Sequence, residues 1–204
     1  MKPTLIYNLD KALKQELPGK SAHLKMMVRP QYILNQNNTP IPAAVLILLY
    51  PIKKEWYFFL TKRTETVEYH KGQISLPGGM VEKNESFENT AIRETYEEIG
   101  IQPKTIKILG ALTPFYIPVS GFEIFPYVGW IKNKPKLTIQ NKEVAKVFSL
   151  SIKDLMQKKI KKEKESVISG HQVKIPFFQL KGEMIWGATS MIISEFKYIL
   201  KGII

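Results

Sequence analysis

Glu94, Glu97 and Glu98 stand three and four residues apart in the stretch Phe87 to Ile101. At about 100° per residue they share one arc of a helix, and Ala91, Ile92, Thr95, Tyr96 and Ile99 fill the arc beside it. One side can pack and the other can coordinate. Like charges at these spacings oppose an isolated helix by roughly 0.2–0.5 kcal/mol each, so a chain that keeps all three needs a cation to offset them. Hard divalent ions take oxygen ligands and are commonly bound by one or two carboxylates together with substrate phosphates. Mg²⁺ or Mn²⁺ on such a face suits hydrolysis at phosphorus, because the ion neutralises the charge that repels a nucleophile and acidifies a bound water. The alternative reading is a solvated acidic face, and the Arg93–Glu97 pair at i,i+4 fits either.

The elements that must position these carboxylates are also visible. Gly100 stands where a left-handed residue ends a helix, and Asn84, Glu85 or Ser86 can serve its start, which gives about three turns. Before the helix, Pro77-Gly78-Gly79 forms a turn whose glycines let backbone groups approach a ligand closely.

The stretch Gly79 to Ile101 resembles the Nudix box, G-x5-E-x7-R-E-U-x-E-E-x-G-U with U aliphatic; Thr95 is the one departure, a β-branched residue at an aliphatic position. The chain is thereby identified as a member of the Nudix hydrolases, and the resemblance implies an α/β fold, an α/β/α sandwich with a mixed sheet. It further implies Glu94 and Glu98 as the main metal ligands, Glu97 completing the cluster, and the Gly78 carbonyl as a backbone ligand. Arg93 would orient a glutamate by a charge-assisted bond, and Glu85 would hold the turn or an outer ligand. One of the three glutamates, or a loop carboxylate such as Glu143, would accept the proton of the attacking water; Glu143 reads equally as a surface residue at a strand start.

The segment before the box narrows the field. Phe59-Leu60-Thr61-Lys62-Arg63-Thr64, followed by Gly72 and Leu76-Pro77-Gly78-Gly79, resembles the signature of coenzyme A pyrophosphatases, as do Gly121-Phe122, Pro126 to Gly129 and Ile185 to Thr189 further on. Glu68 departs from that pattern by reversing a charge. The implied products are 4′-phosphopantetheine and adenosine 3′,5′-bisphosphate. Arg63 reads as a phosphate fork or a structural ion pair, and His70 as a polar substrate contact or a satisfied loop histidine. Tyr116 and Phe122 read as pocket lining or core, and Trp186 as packing at a helix start. The competing functions are hydrolysis of ADP-ribose, dinucleotides or nucleoside triphosphates, and a non-catalytic nucleic-acid-binding module; the intact glutamate set argues against the last.

Composition sets outer bounds. The 204 residues, 44% hydrophobic, are enough for one globular unit with a sizeable core. The expected division is residues 1–40 as a helix and linker, and 41–204 as the hydrolase domain. Absence of cysteine excludes disulfides and thiolate chemistry. Ala43 to Tyr50, the longest apolar stretch, is too short to span a bilayer, and the first ten residues lack a secretion pattern, so a cytoplasmic protein without membrane contact is expected. A formal charge of +12 favours anionic partners, here a small nucleoside diphosphate derivative. Lys153 to Lys164 reads as a solvated helix face or loop, with nucleic acid not expected there. Oligomeric state is left open.

Pattern alone predicts helices over Leu5 to Leu17, Ser151 to Lys162 and Thr189 to Lys201, the last with Ile192, Phe196, Ile199 and Leu200 on one side. It predicts a turn-rich linker over Asn35 to Pro42. Strands are predicted at Ala43 to Tyr50 and Trp56 to Thr61, paired as a hairpin across a connection containing Pro51, and at Ile106 to Thr113, Phe125 to Ile131 and Glu143 to Ser149.

Overall fold

The run Ala43 to Tyr50 has no polar face to show to water, and it becomes the inner strand of a sheet covered on both sides. The computed structural model describes residues 2–29, 39–64, 72–140, 142–168 and 170–204. In chain order these form α1 (Thr4–Ala12), α2 (Gly19–His23), β1 (Ile41–Ile52), β2 (Glu55–Arg63), β3 (Ile74–Ser75), β4 (Gly78–Met80) and α3 (Phe87–Ile99). There follow β5 (Lys107–Ala111), β6 (Phe115–Ile117), β7 (Phe122–Trp130), β8 (Val144–Ser151), α4 (Ile152–Met156), β9 (Lys161–Ile168), β10 (His171–Leu180), β11 (Glu183–Ile185) and α5 (Gly187–Lys201).

Among the described residues β1 to β8 join in one sheet. Strand β1 pairs antiparallel with β2 and β4 and parallel with β7, from Ile41↔Phe122 to Leu49↔Trp130, so the sheet is mixed. Past Phe58, β2 pairs instead with β3, while β8 runs along β2 from Tyr57↔Ser151 onward. The chain returns to β1 at Leu76–Pro77, where the Pro77 carbonyl accepts the Leu46 amide at 2.9 Å. This crossing delivers Gly78 and Gly79 to the place where β1 and β2 part.

Alternation along β1 separates two cores. Ala44, Leu46, Leu48 and Tyr50 face α3 with Ala91 and Ile99, while Ala43, Ile47 and Leu49 face α1 and α5 with Ile6, Leu9, Ile192 and Phe196. Helices on both faces of a mixed sheet make an α/β/α sandwich. On the α5 side, Glu195 is fully buried and accepts from the Gly19 amide at 3.2 Å and the Thr113 hydroxyl at 2.6 Å, with His23 Nε2 at 2.9 Å. These bonds fasten α2 and the connection between β5 and β6 to α5. No helix among the described residues is long and apolar enough to cross a membrane.

Several predicted elements differ from those formed. The helix expected over Ser151 to Lys162 stops at Met156, and Lys161 onward is strand β9, paired with β10 from Phe178↔Lys161 to His171↔Ile168. Strand β9 is exposed along nearly its whole length, so no apolar alternation marks it; its Lys and Glu side chains are of the kind that protect a sheet edge. Its apolar partner β10 buries Val173, Ile175, Phe177 and Phe178. The first helix ends at Ala12, and the hairpin turn is Lys53–Lys54, with Pro51 inside β1. Of the predicted linker, residues 35–38 lie outside the described residues, and Ile41 and Pro42 belong to β1.

Phe196 is fully buried and meets Phe58 edge to face at 6.0 Å. Phe196→Ala should lower stability by about 3–5 kcal/mol, seen as a lower urea midpoint with an unchanged slope. A loss below about 1 kcal/mol would show that α5 is not anchored through this ring.

Candidate active site

Helix α3 forms because both its ends are satisfied and one face is apolar. Ser86 Oγ accepts the Asn89 amide at 3.2 Å, and Gly100, at φ 76°, closes the helix with its amide on the Tyr96 carbonyl at 2.8 Å. Thr95 is buried at an aliphatic position because its hydroxyl donates back to the Ala91 carbonyl at 2.7 Å.

The Glu94 carboxylate lies against Gly79 so closely that a side chain there would run into it. One helical turn on, Glu98 is only 4% exposed. The Gly78 amide donates to its carboxylate, and Thr61 Oγ1 stands 3.5 Å away, at the limit of a bond. Among the described residues Glu98 has no ion-pair partner within 4 Å. Burial first, and then the charge of Glu94, push the Glu98 carboxyl up to about 8, against the opposing pull of Arg63. Burial also holds Glu94 above the usual carboxylate range, although Arg93 draws it back.

Arg93 organises the rest of the face. It grips Glu85 with two bonds of 3.0 Å, from Nε and Nη2, and Nη2 also donates to the Met80 carbonyl at 3.1 Å. Nη1 reaches Glu94 at 2.8 Å and Glu97 at 3.0 Å. The guanidinium therefore binds the helix to its own entry turn and fixes Glu94 sideways. Glu85, which also accepts the Thr90 hydroxyl at 2.6 Å, is held down to about 2, mainly by Arg93.

Strand alternation puts Phe59, Thr61 and Arg63 on the α3 face of β2. Arg63 Nε is buried without a hydrogen-bond partner among the described residues, and no ion pair there engages the side chain, although its charge acts on Glu98. Glu143, exposed at the entry to β8, adds negative charge felt by both Glu94 and Glu98. The Glu143 main-chain carbonyl accepts the Thr64 amide at 2.9 Å.

The site residues anticipated from sequence therefore divide. Glu94, Glu98, Arg63 and Gly78–Gly79 come together, the two glycines lying not in the expected turn but at the start of strand β4, paired with Val45 and Ala44 of β1; Glu97 is at the open flank, its side chain 53% exposed. Phe122 instead packs into the core on the α5 side, and Tyr116, on β6, is paired across to Glu123 and partly exposed. His70, with Glu68, lies outside the described residues. Trp186 caps the start of α5. Thr61 was missed as a site residue; its alternation with Phe59 and Arg63 was the available signal.

Among the described residues no three carboxylate or imidazole groups converge closely enough to hold an ion by themselves. Two carboxylates, one of them buried and short of positive charge, are still a fitting donor set for an ion that takes its remaining ligands from water and substrate phosphates.

A family model of the NUDIX domain matches residues 40–170. An uncharacterized Nudix hydrolase NudL of Photorhabdus laumondii is 31% identical over 169 residues, covering 81% of this chain and 87% of that one. Its namesake in Pectobacterium atrosepticum is 32% identical over 139 residues, covering 67% of this chain and 71% of its own length. Among solved structures, the Nudix hydrolase RenU of M. smegmatis shares the fold at a TM-score of 0.57 and 13% identity, over 86% of this chain and 97% of that one.

The two perturbed glutamates have opposite pH signatures in metal-free protein. The raised folded-state value of Glu98 makes stability fall as pH rises from about 4.5 towards about 8, because the unfolded chain releases this proton first. The lowered value of Glu85 supplies stability above about 4.5 that is lost as pH falls towards about 2. In EDTA, Glu98→Gln should therefore be more stable than the parent at pH 8, an advantage that shrinks towards pH 4.5. Glu85→Gln should be less stable at neutral pH, a deficit that shrinks in acid. Urea midpoints measured across pH check both signs, and differences independent of pH would contradict them.

Proposed function

The chain belongs to the Nudix hydrolase family, enzymes acting on phosphoanhydride bonds, and from that premise we propose that it cleaves the diphosphate of coenzyme A or an acyl derivative. The products are 4′-phosphopantetheine and adenosine 3′,5′-bisphosphate. The observation that carries the reaction is the pair Glu94 and Glu98 over Gly78–Gly79 with Arg63 beside it. The choice of coenzyme A rests on the segment Phe59 to Thr64 and its later companions, quoted above as residues of this chain.

Glu94 and Glu98 would hold the divalent ion, with Glu97 at the outer flank and the Gly78 carbonyl as a backbone ligand. Such an ion would supply charge neutralisation at the phosphate oxygens and a lowered pKa for a bound water. Arg93 keeps Glu94 in register while Glu85 keeps Arg93 in place. Arg63, whose Nε has no hydrogen-bond partner among the described residues, is the side chain placed to meet a substrate phosphate. Glu97 and Glu143 are the candidates for receiving the proton of the attacking water. Gly78 and Gly79 admit the substrate close to the main chain.

Glu98→Gln should cut turnover by more than about 100-fold without loss of folded structure; parent-like rates with added Mg²⁺ or Mn²⁺ would overturn its role. Arg63→Ala should lower kcat/KM by about 10–100-fold, the loss of one charge-assisted bond of roughly 1.5–3 kcal/mol. Chromatography of coenzyme A, ADP-ribose and diadenosine polyphosphates after incubation with the protein and Mg²⁺ tests the substrate. Release of 4′-phosphopantetheine at the highest kcat/KM supports the proposal, and preference for another diphosphate refutes it.

A further inference from the structure

A hollow of about 460 Å³ lies between α4, β9 and the turn joining β10 to β11. Its floor includes Leu150 and Leu180, both buried in the core on the α5 side of the sheet. The glutamate face packs on the other side, so this hollow is a separate feature. Lys159, Lys162 and Lys181 stand around it with a single carboxylate, Asp154. Three lysines against one aspartate leave two formal positive charges.

The lysine-rich run from Lys158 to Lys164 accounts for two of these cations by composition alone, but not for Lys181, which arrives from a different part of the chain. Lys181 sits at φ 48° in the two-residue turn Lys181–Gly182. Asn, Asp or Gly ordinarily occupies that left-handed position. Its ammonium group is drawn to the edge of β8 by a bond to the Ser149 carbonyl, with donors to spare. Beside the wall, the half-buried Lys197 donates to the Gln157 carbonyl at 3.1 Å, and burial draws its ammonium down to about 8, so it is not counted with the three lysines.

We propose that this hollow is a second, non-catalytic binding site for a phosphate monoester with an organic body. Two net positive charges match a monoester dianion, and the size, that of small-molecule sites, leaves room beside the phosphate for an organic group that a bare inorganic ion would not fill. The proposal does not depend on which diphosphate the glutamate face cleaves.

The test is an amide NMR titration of the full chain in EDTA, with adenosine 5′-monophosphate as the probe and adenosine as its uncharged control. Saturable shifts at residues 157–162 and 179–182 are expected with the monophosphate and not with adenosine. The triple variant K159Q/K162Q/K181Q should weaken binding at least about tenfold, one charge-assisted bond's worth, and the corresponding Arg variant should restore it. Thermal unfolding verifies that both variants fold. Parent-like hydrolysis by the Gln variant in the absence of added monophosphate would place the site apart from the chemistry. Shifts confined to Gly78, Gly79 and α3, equal shifts with adenosine, undiminished binding by the Gln variant, or loss of its hydrolysis would overturn the assignment.

Discussion

A carboxylate nine-tenths or more out of water, with a second carboxylate next to it and no ion pair of its own among the described residues, is a costly arrangement for a folded chain. Glu98 is in that position, and the surrounding structure reads as the means of keeping it there. The Gly78 amide donates to it, Arg63 supplies distant positive charge, and the apolar half of α3 fastens the helix to the sheet through Ala91 and Ile99. In the proposed function, this poorly compensated carboxylate is what would draw a divalent ion to the site. In that function, replacing it with a neutral side chain would remove the folding cost and a metal ligand together, the usual opposition between stability and an active site.

Arg93 carries the second part of that arrangement. A guanidinium with donors committed to Glu85, Glu94, Glu97 and the Met80 carbonyl cannot be repositioned without losing several charge-assisted bonds at once. It fixes the entry of α3 against β4, and with it the distance between Glu94 and Gly79. The parting of β2 from β1, each with its own short partner strand, is the sheet's contribution: it opens a place for Gly78–Gly79 and sets Thr61 and Arg63 facing the glutamates.

The site was more legible in the sequence than the fold around it, for a physical reason. A helix with a Ser cap, a Gly stop and carboxylates at fixed spacing is a local object, so α3 follows from Ser86 to Gly100 alone. The strand β1 is equally plain, since apolar residues run on without interruption. Strand β9 is not, because Lys161 to Glu165 face solvent and nothing in their order distinguishes a sheet edge from a helix surface; its pairing is dictated by the apolar β10. The bonds from Gly19, His23 and Thr113 to Glu195 are likewise invisible, since partners up to 176 residues apart meet only in the folded chain. Of the two readings open for Phe122, pocket or core, strand parity favours the core: on β7 its side chain shares the α5 face with Ile124 and Val128. The depth of Glu98 was also hidden, because helical spacing places it on the arc of Glu94 without saying that the sheet covers it.

The central claim is that Glu94 and Glu98 together create the cation site. Titrating Mn²⁺ into the protein and following the free-ion signal by electron paramagnetic resonance tests it directly, with the double variant Glu94→Gln/Glu98→Gln as the comparison. The account predicts saturable binding by the parent chain and an affinity lowered at least about 100-fold in the variant, whose urea midpoint in EDTA at pH 8 is no lower than the parent's. Equal Mn²⁺ affinity in a folded variant would contradict it.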